Sequence, residues 1–227
     1  MQRIYAYTIS ILLCLSCLVA KSEEKKAVVQ LPERNWWSGL MLQVDAASLL
    51  QSTLLKTDRY SVEGSAQLGF RKKLYPVFEI GFAGAEKEMK SLATFKTNAP
   101  FSRIGLDVNL LTPKPDAKPS NNLFLIGARL GYTNFSYSVN NLIITDPYWK
   151  QSEIRNYPDQ SANKLWYELV AGVKVEVYKN LYLGWSIRSR NLLSKETSGA
   201  VSPWYIPGYG LNGSANWGFN YTIGYLF

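Results

Sequence analysis

The chain closes on Ser214-Ala215-Asn216-Trp217-Gly218-Phe219-Asn220-Tyr221-Thr222-Ile223-Gly224-Tyr225-Leu226-Phe227. Counting back from Phe227, every second residue as far as Trp217 is large and apolar or aromatic, and small Ala215 starts the series. Gly, Thr and Asn stand between them, with Leu226 the exception. A period of two is that of a β-strand with two chemically different faces. A strand this long, apolar along one whole side, suits a membrane better than a soluble core.

Seven further segments share the period. Residues 38–49 carry Leu40, Leu42, Val44 and Ala46 on one face, behind Trp36 and Trp37. Residues 60–71 set Tyr60, Val62, Leu68 and Phe70 against Ser61, Glu63, Gln67 and Arg71. In 77–86, Phe78, Ile80 and Phe82 oppose Glu79 and Gly81; in 101–111, Ile104, Leu106, Val108 and Leu110 oppose Arg103, Asp107 and Asn109. Segments 123–134, 164–178 and 181–190 repeat the pattern, the last two joined by a tight Lys179-Asn180 turn. Pro113, Pro115 and Pro119 make residues 112–122 a loop, and 135–163 and 191–213 are expected as long loops. Strands of about eleven residues exceed the five or six usual in soluble sheets and match the nine to eleven that a tilted strand needs to cross a bilayer. The expected fold is therefore all-β, an eight-stranded antiparallel up-and-down transmembrane β-barrel over residues 37–227. Its turns near Lys72, Pro115 and Lys179 would face the periplasm, the one around Pro115 being long for such a turn, and the loops around Ser52, Glu88, Pro147 and Pro207 would face outward.

The polar face of these strands collects Glu63, Arg71, Glu79, Arg103, Asp107, Arg129, Glu168, Lys174, Glu176, Arg188 and Arg190. A closed eight-stranded barrel is only wide enough inside for side chains to fill it, so these acids and bases are expected to pair as a lumen charge network. The strand glycines are expected to let the backbone bend around the narrow lumen. Aromatics near strand ends form two expected girdles, Trp36, Trp37, Tyr75, Phe124, Tyr178 and Phe227 at one rim and Tyr60, Tyr132, Trp166, Tyr167 and Trp217 at the other.

The N-terminus has Arg3, an uncharged run over residues 4–20, and then Lys21-Ser22-Glu23-Glu24-Lys25-Lys26. That is the form of a secretory signal peptide, expected over residues 1–22 and followed by a polar periplasmic lead over 23–36. A retained membrane anchor is the alternative. Both cysteines, Cys14 and Cys17, lie in the leader, so cleavage after it leaves no disulfide or thiol chemistry; lipidation at Cys17 is a further alternative. The formal charge of +8 is carried by scattered residues with no nucleic-acid-binding motif, so outer-membrane lipid and lipopolysaccharide are the expected counter-charges.

The chain contains no histidine, which excludes Ser-His and Asp-His catalysis and removes the commonest transition-metal ligand. Glu86 and Glu88 lie beside Lys87 and Lys90 and read as a solvated charge cluster. No enzyme activity, cofactor or metal is expected. The segments Thr145-Asp146-Pro147-Tyr148-Trp149 and Ser202-Pro203-Trp204-Tyr205-Ile206-Pro207-Gly208-Tyr209-Gly210 combine stiff prolines with aromatics. Tyr148, Trp149, Trp204, Tyr205 and Tyr209 are thus candidate outer-loop recognition residues for glycan or protein, with an ordered cap as the plainer alternative.

The TDPYW loop, the hairpin over residues 168–188 and the PWYIPGYG loop resemble an uncharacterised family of small bacterial outer-membrane barrel proteins, OmpA/OmpX-like in architecture and known as a domain of unknown function. The resemblance implies a barrel and a Gram-negative-type outer membrane, with no activity to carry over. The closing strand likewise resembles that of outer-membrane barrels, whose assembly machinery recognises a terminal aromatic such as Phe227. The expected function is a non-enzymatic outer-membrane barrel, structural or recognising partners through its outer loops. A narrow channel or small-solute transporter and a soluble secreted ligand-binding barrel are the alternatives.

Overall fold

The computed structural model describes residues 36–47, 58–89, 92–111, 121–145, 148–149, 151–194 and 200–227. The expected signal peptide, most of the N-terminal lead and Cys17 fall outside the described residues. Among the described residues the strands are, in chain order, β1 (Trp37–Asp45), β2 (Arg59–Phe70), β3 (Leu74–Glu88), β4 (Thr94–Asn109), β5 (Leu123–Thr145), β6 (Ser152–Tyr178), β7 (Leu181–Leu192), β8 (Tyr205–Ile206), β9 (Gly210–Leu211) and β10 (Ala215–Leu226). The eight long ones form an antiparallel up-and-down sheet that closes on itself as a ring, with β8 and β9 a small separate hairpin. Closure falls on the terminal strand: Leu42 of β1 lies opposite Tyr225 and Val44 opposite Ile223. The Phe227 N–H donates to the Leu40 carbonyl at 2.8 Å, so pairing runs to the last residue.

Side chains alternate as the period of two requires. Val44, Val62, Phe78, Ile80, Ile104, Leu130, Leu169, Trp185, Ile187, Phe219 and Ile223 are exposed on the outer surface, so every one of the eight strands contributes. Glu63, Glu79, Arg103, Asp107, Arg129, Glu168 and Arg188 are buried on the inner one.

The strands are of unequal height. β3, β4, β5 and β6 have 15, 16, 23 and 27 residues, whereas β1 has 9 and β2, β7 and β10 have 12 each. The expected loop over 135–163 is corrected: its described residues mostly extend β5 and β6, paired as far as Thr145 opposite Ser152. β4 likewise begins at Thr94, before the expected start at Phe101. In the first part of these extensions, as far as Asn140 on β5 and from Ser161 on β6, the alternation persists but its chemistry reverses; farther out the register shifts and both sides are largely exposed. Phe95, Phe135, Tyr137, Val139 and Ala162 face inward and are buried, while Lys96, Asn98, Asn134, Ser136, Asn140 and Asn163 are exposed. β7 stops opposite Trp166, and β6 continues beyond it with β5 as its partner. Pro158 and the left-handed Asp159 (φ 48°) interrupt this edge, which limits strand addition.

The interior is layered. At the turn end Met41, Tyr75, Leu123, Leu125 and Tyr182 pack together, with Leu226 against them. A charged belt follows. Above it Phe95, Phe101, Phe135, Tyr137 and Trp166 pack with Tyr205, Ile206 and Tyr209 from the β7–β10 loop. Two girdle expectations are thereby corrected. Tyr75 and Trp166 sit on inward positions and are buried, and so belong to the interior.

Candidate functional site

The charged belt is built by neighbouring strands that place opposite charges at adjacent registers. Glu79 lies across from Arg103, Arg129 across from Glu168, and Glu168 across from Arg190. Glu79 is the hub: it receives Arg103 Nη1 at 3.0 Å, Arg129 Nε at 2.8 Å and Arg188 Nη1 at 2.7 Å. Asp107 accepts both terminal nitrogens of Arg129, at 2.6 and 2.9 Å, a bidentate pair. Glu63 pairs with Arg103 (2.7 Å) and Arg188 (3.1 Å), and Glu168 with Arg103 (2.8 Å) and Arg190 (3.4 Å). Four carboxylates thus face four guanidinium groups, and mutual compensation is what makes such burial tolerable.

Three expected members stand differently. Lys174 enters the lumen but reaches the belt through Gln67, whose Oε1 accepts from Nζ and whose Nε2 donates to Asp107 Oδ2 at 2.7 Å. A cavity of about 40 Å³ adjoins it. Arg71 is corrected out of the lumen: with Lys72 it adopts left-handed φ angles (50° and 51°), which reverse the chain after Phe70 and leave Arg71 exposed in the turn. Glu176 is corrected to the turn-end rim, where its carboxylate accepts from Asn121 Nδ2 (2.7 Å) and the Asn180 N–H (3.0 Å).

Sequence reading missed the groups that complete the belt. Trp166 Nε1 donates to Glu168 Oε1 at 2.7 Å, and its indole lies where a Cβ on Gly131 would come within 2.3 Å. Glycine at 131 therefore makes room for a neighbouring side chain, a more specific role than backbone bending. An inward Trp two residues from an inward Glu was the available signal; assignment to a girdle concealed it.

The β7–β10 loop closes the loop end as a plug. Arg103 Nη2 donates to the Gly208 carbonyl at 2.8 Å and Arg190 Nη1 to the Tyr209 carbonyl at 3.2 Å, fastening the plug to the belt. Gly208 has φ +78°, and a Cβ there would lie 2.4 Å from the Phe101 ring, so only glycine fits. The Tyr137 hydroxyl donates to the Val201 carbonyl, and Gln160 Oε1 accepts from the Ala200 N–H at 3.1 Å. Tyr205 and Tyr209 are buried, which corrects their place among exposed recognition residues: they pack into the apolar layer. Burial holds both phenols above their ordinary pKa, so they are neutral at neutral pH. Trp204 is half-buried against Phe95 (ring centroids 6.0 Å), with Lys87 Nζ 4.9 Å from its ring.

Tyr148 and Trp149 remain outer-loop residues. They are 80% and 73% exposed beyond the β5–β6 pairing, with ring centroids 4.9 Å apart. Nearby, hydrogen bonds and the charge of Arg155 hold the Glu153 carboxyl below its ordinary pKa. Glu86 pairs with Lys96 at 3.1 Å on the surface.

Between the plug and the shorter strands β1, β2 and β10 lies an open pocket of about 550 Å³. Asp45, Ser61, Glu63, Arg190, Tyr205 and Asn220 are among its lining residues. Asp45 and Asn220, absent from the expected site, pair across the closing seam: Asn220 Nδ2 donates to Asp45 Oδ2 at 2.5 Å. Among the described residues no group of His, Cys, Asp and Glu side chains is arranged to hold a metal.

The family described as Domain of unknown function (DUF6048) matches residues 4–227. No curated protein and no solved structure matches the chain.

Proposed function

The chain belongs to the DUF6048 family, and we propose that it is a non-enzymatic barrel spanning a bacterial outer membrane, its lumen locked by charge and its loop end a recognition surface. The observation that carries this reading is the apolar outer face shared by all eight strands around an interior of buried charge. Monomeric soluble proteins rarely expose contiguous apolar patches beyond a few hundred Å², and their barrels turn apolar residues inward. The outward apolar band on β5 runs from Phe124 to Tyr132, a length suited to a tilted strand in hydrocarbon. Beyond Tyr132 the outer face of β5 turns polar at Asn134, Ser136 and Asn140, as expected where water begins. The signal-like character of residues 3–22 and the even strand number agree with export and outer-membrane assembly.

The interior favours a closed barrel over the channel alternative. Arg103, Glu79 and Glu168 are at most 2% exposed and tied to one another, with apolar layers on either side. Recognition is then left to the loop end, where Tyr148 and Trp149 project. Cell fractionation combined with gel mobility before and after boiling tests the reading. The expected result is sedimentation with outer membranes and a faster or slower band before heating; a freely soluble, heat-insensitive product contradicts it. Single-channel conductance in planar bilayers should be absent.

A further inference from the structure

The turn between β2 and β3 is strained and rigid. The Lys73 N–H donates to the Phe70 carbonyl at 2.9 Å, and the two residues between them, Arg71 and Lys72, are both left-handed (φ 50° and 51°). That is the φ pattern of a type I′ turn, which an Asn-Gly pair adopts most easily and which strains other L-residues. Neighbouring elements clamp its backbone from both sides. The Arg71 N–H donates to the Trp36 carbonyl (3.0 Å) and the Lys72 N–H to Ser38 Oγ (2.8 Å). From β4, Asn109 donates its Nδ2 to the Lys72 carbonyl (3.1 Å) and its backbone N–H to the Lys73 carbonyl (2.8 Å). Strain kept at a turn where a simpler pair would serve points to a use for the side chains.

Those side chains are three consecutive cations. Arg71, Lys72 and Lys73 are exposed, as is Lys179 in the β6–β7 turn at the same end. Lys72 Nζ donates to Asn121 Oδ1 at 3.1 Å, and among the described residues no carboxylate pairs with Arg71, Lys73 or Lys179. Glu176 at this rim instead accepts from Asn121 and Asn180. The loop end differs: Lys87 pairs with Asp58 at 3.2 Å, Lys96 with Glu86 at 3.1 Å and Arg155 with Glu153 at 2.8 Å. The β2–β3 turn therefore presents positive charge that the described chain does not neutralise, and its surroundings select the anion. Trp36 and Trp37 pack edge-on against Phe70 (ring centroids 5.1 and 5.7 Å), and both indoles, Leu74 and Leu110 are exposed beside the turn. The cations thus stand where the apolar outer face ends, the depth of a lipid phosphate, with tryptophan at the level of the head groups. An acidic protein supplies charge but no hydrocarbon for Leu74 and Leu110, whereas an anionic lipid supplies both. With the turns facing the periplasm, the leaflet in reach is the phospholipid one.

We infer that the β2–β3 turn binds the head group of an anionic phospholipid, with Arg71 and Lys73 meeting its phosphate and Trp36 and Trp37 beside it. The inference rests on the membrane reading above. The full chain, folded in detergent, is titrated with phosphatidylglycerol and with phosphatidylcholine, and bound lipid is counted by native mass spectrometry. The wild-type chain should prefer phosphatidylglycerol by about fivefold or more, the gain expected from a single Lys or Arg at an anionic surface. Arg71→Asn with Lys72→Gly and Lys73→Gln removes the cations while supplying the pair that the turn backbone favours, and the preference should disappear. Lys96→Gln, which removes a cation at the loop end, should keep it. A photoactivatable phosphatidylglycerol locates the site in the wild-type chain, with label expected on residues 36–38 or 70–74. The inference is overturned by equal binding of the two lipids, by a preference that survives in the folded turn variant or is lost in Lys96→Gln, by label elsewhere, or by label that lipid A or polyglutamate displaces better than phosphatidylglycerol does. A heat-shifted barrel without the preference leaves the membrane reading standing, whereas a freely soluble chain removes that reading whatever it binds.

Discussion

β5 has one alternation and two chemistries. On the turn side of Thr133, Ile126, Leu130 and Tyr132 are exposed outside while Arg129 is buried within. On the loop side, Asn134, Ser136 and Asn140 are outside and Phe135, Tyr137 and Val139 within. Neighbouring strands change together: β4 from Ile104 outside and Arg103 inside to Lys96 outside and Phe95 inside, and β6 from Leu169 and Glu168 to Asn163 and Ala162. A backbone period cannot cause such a reversal, since it is the same throughout. The surroundings of the outer face can: where they are apolar the barrel hides its charges, and where they are aqueous it hides its hydrocarbon. On the proposed reading, the level of Tyr132 and Thr133 marks the outer membrane boundary.

The largest effect is expected in the lower zone. Glu79→Ala leaves three guanidinium groups without their shared carboxylate and should destabilise the barrel by about 3–5 kcal/mol, measured as a fall in the temperature at which the heat-shifted band is lost. Leu169→Arg places a charge on the outer face of the same zone, opposite Ala128 at the middle of the outward band, and should cost about 2–4 kcal/mol, read by urea unfolding in lipid vesicles. The same change six residues earlier, Asn163→Arg, should stay within about 0.5 kcal/mol. Equal costs at the two positions would dissolve the distinction between the zones. Gly208→Ala should cost about 1–3 kcal/mol and release the plug, because its left-handed backbone and its approach to Phe101 exclude a Cβ; quicker chymotrypsin cleavage at Tyr205 or Tyr209 would report it. Smallest is Tyr137→Phe, which removes the hydroxyl held by the Val201 carbonyl and should cost about 1 kcal/mol with the ring stack on Phe95 retained.

These contrasts also explain what can be read from the chain and what cannot. Strand parity is legible wherever one face stays apolar, so Glu63, Glu79, Arg103, Asp107, Arg129, Glu168 and Arg188 are placed in the lumen by counting alone. The upper parts of β5 and β6 are not, because polar residues move to the outer face and the composition of 135–163 then reads as loop. Arg71 has inward parity, yet two left-handed residues end the strand before it, and parity carries no information about where a turn begins. The plug is hidden for another reason. Tyr205 and Tyr209 are aromatics in a Pro- and Gly-rich loop, and their burial depends on Arg103 and Arg190 reaching the carbonyls of Gly208 and Tyr209 from distant strands.

The most direct test of the two-zone account is labelling by a membrane-impermeant maleimide in intact membranes. Single cysteines are placed by Leu130→Cys, Ser136→Cys or Asn140→Cys in a chain with Cys14→Ser and Cys17→Ser. All three positions are exposed on the outer face. The account predicts rapid labelling at 136 and 140 and protection at 130; equal labelling at the three positions would contradict it.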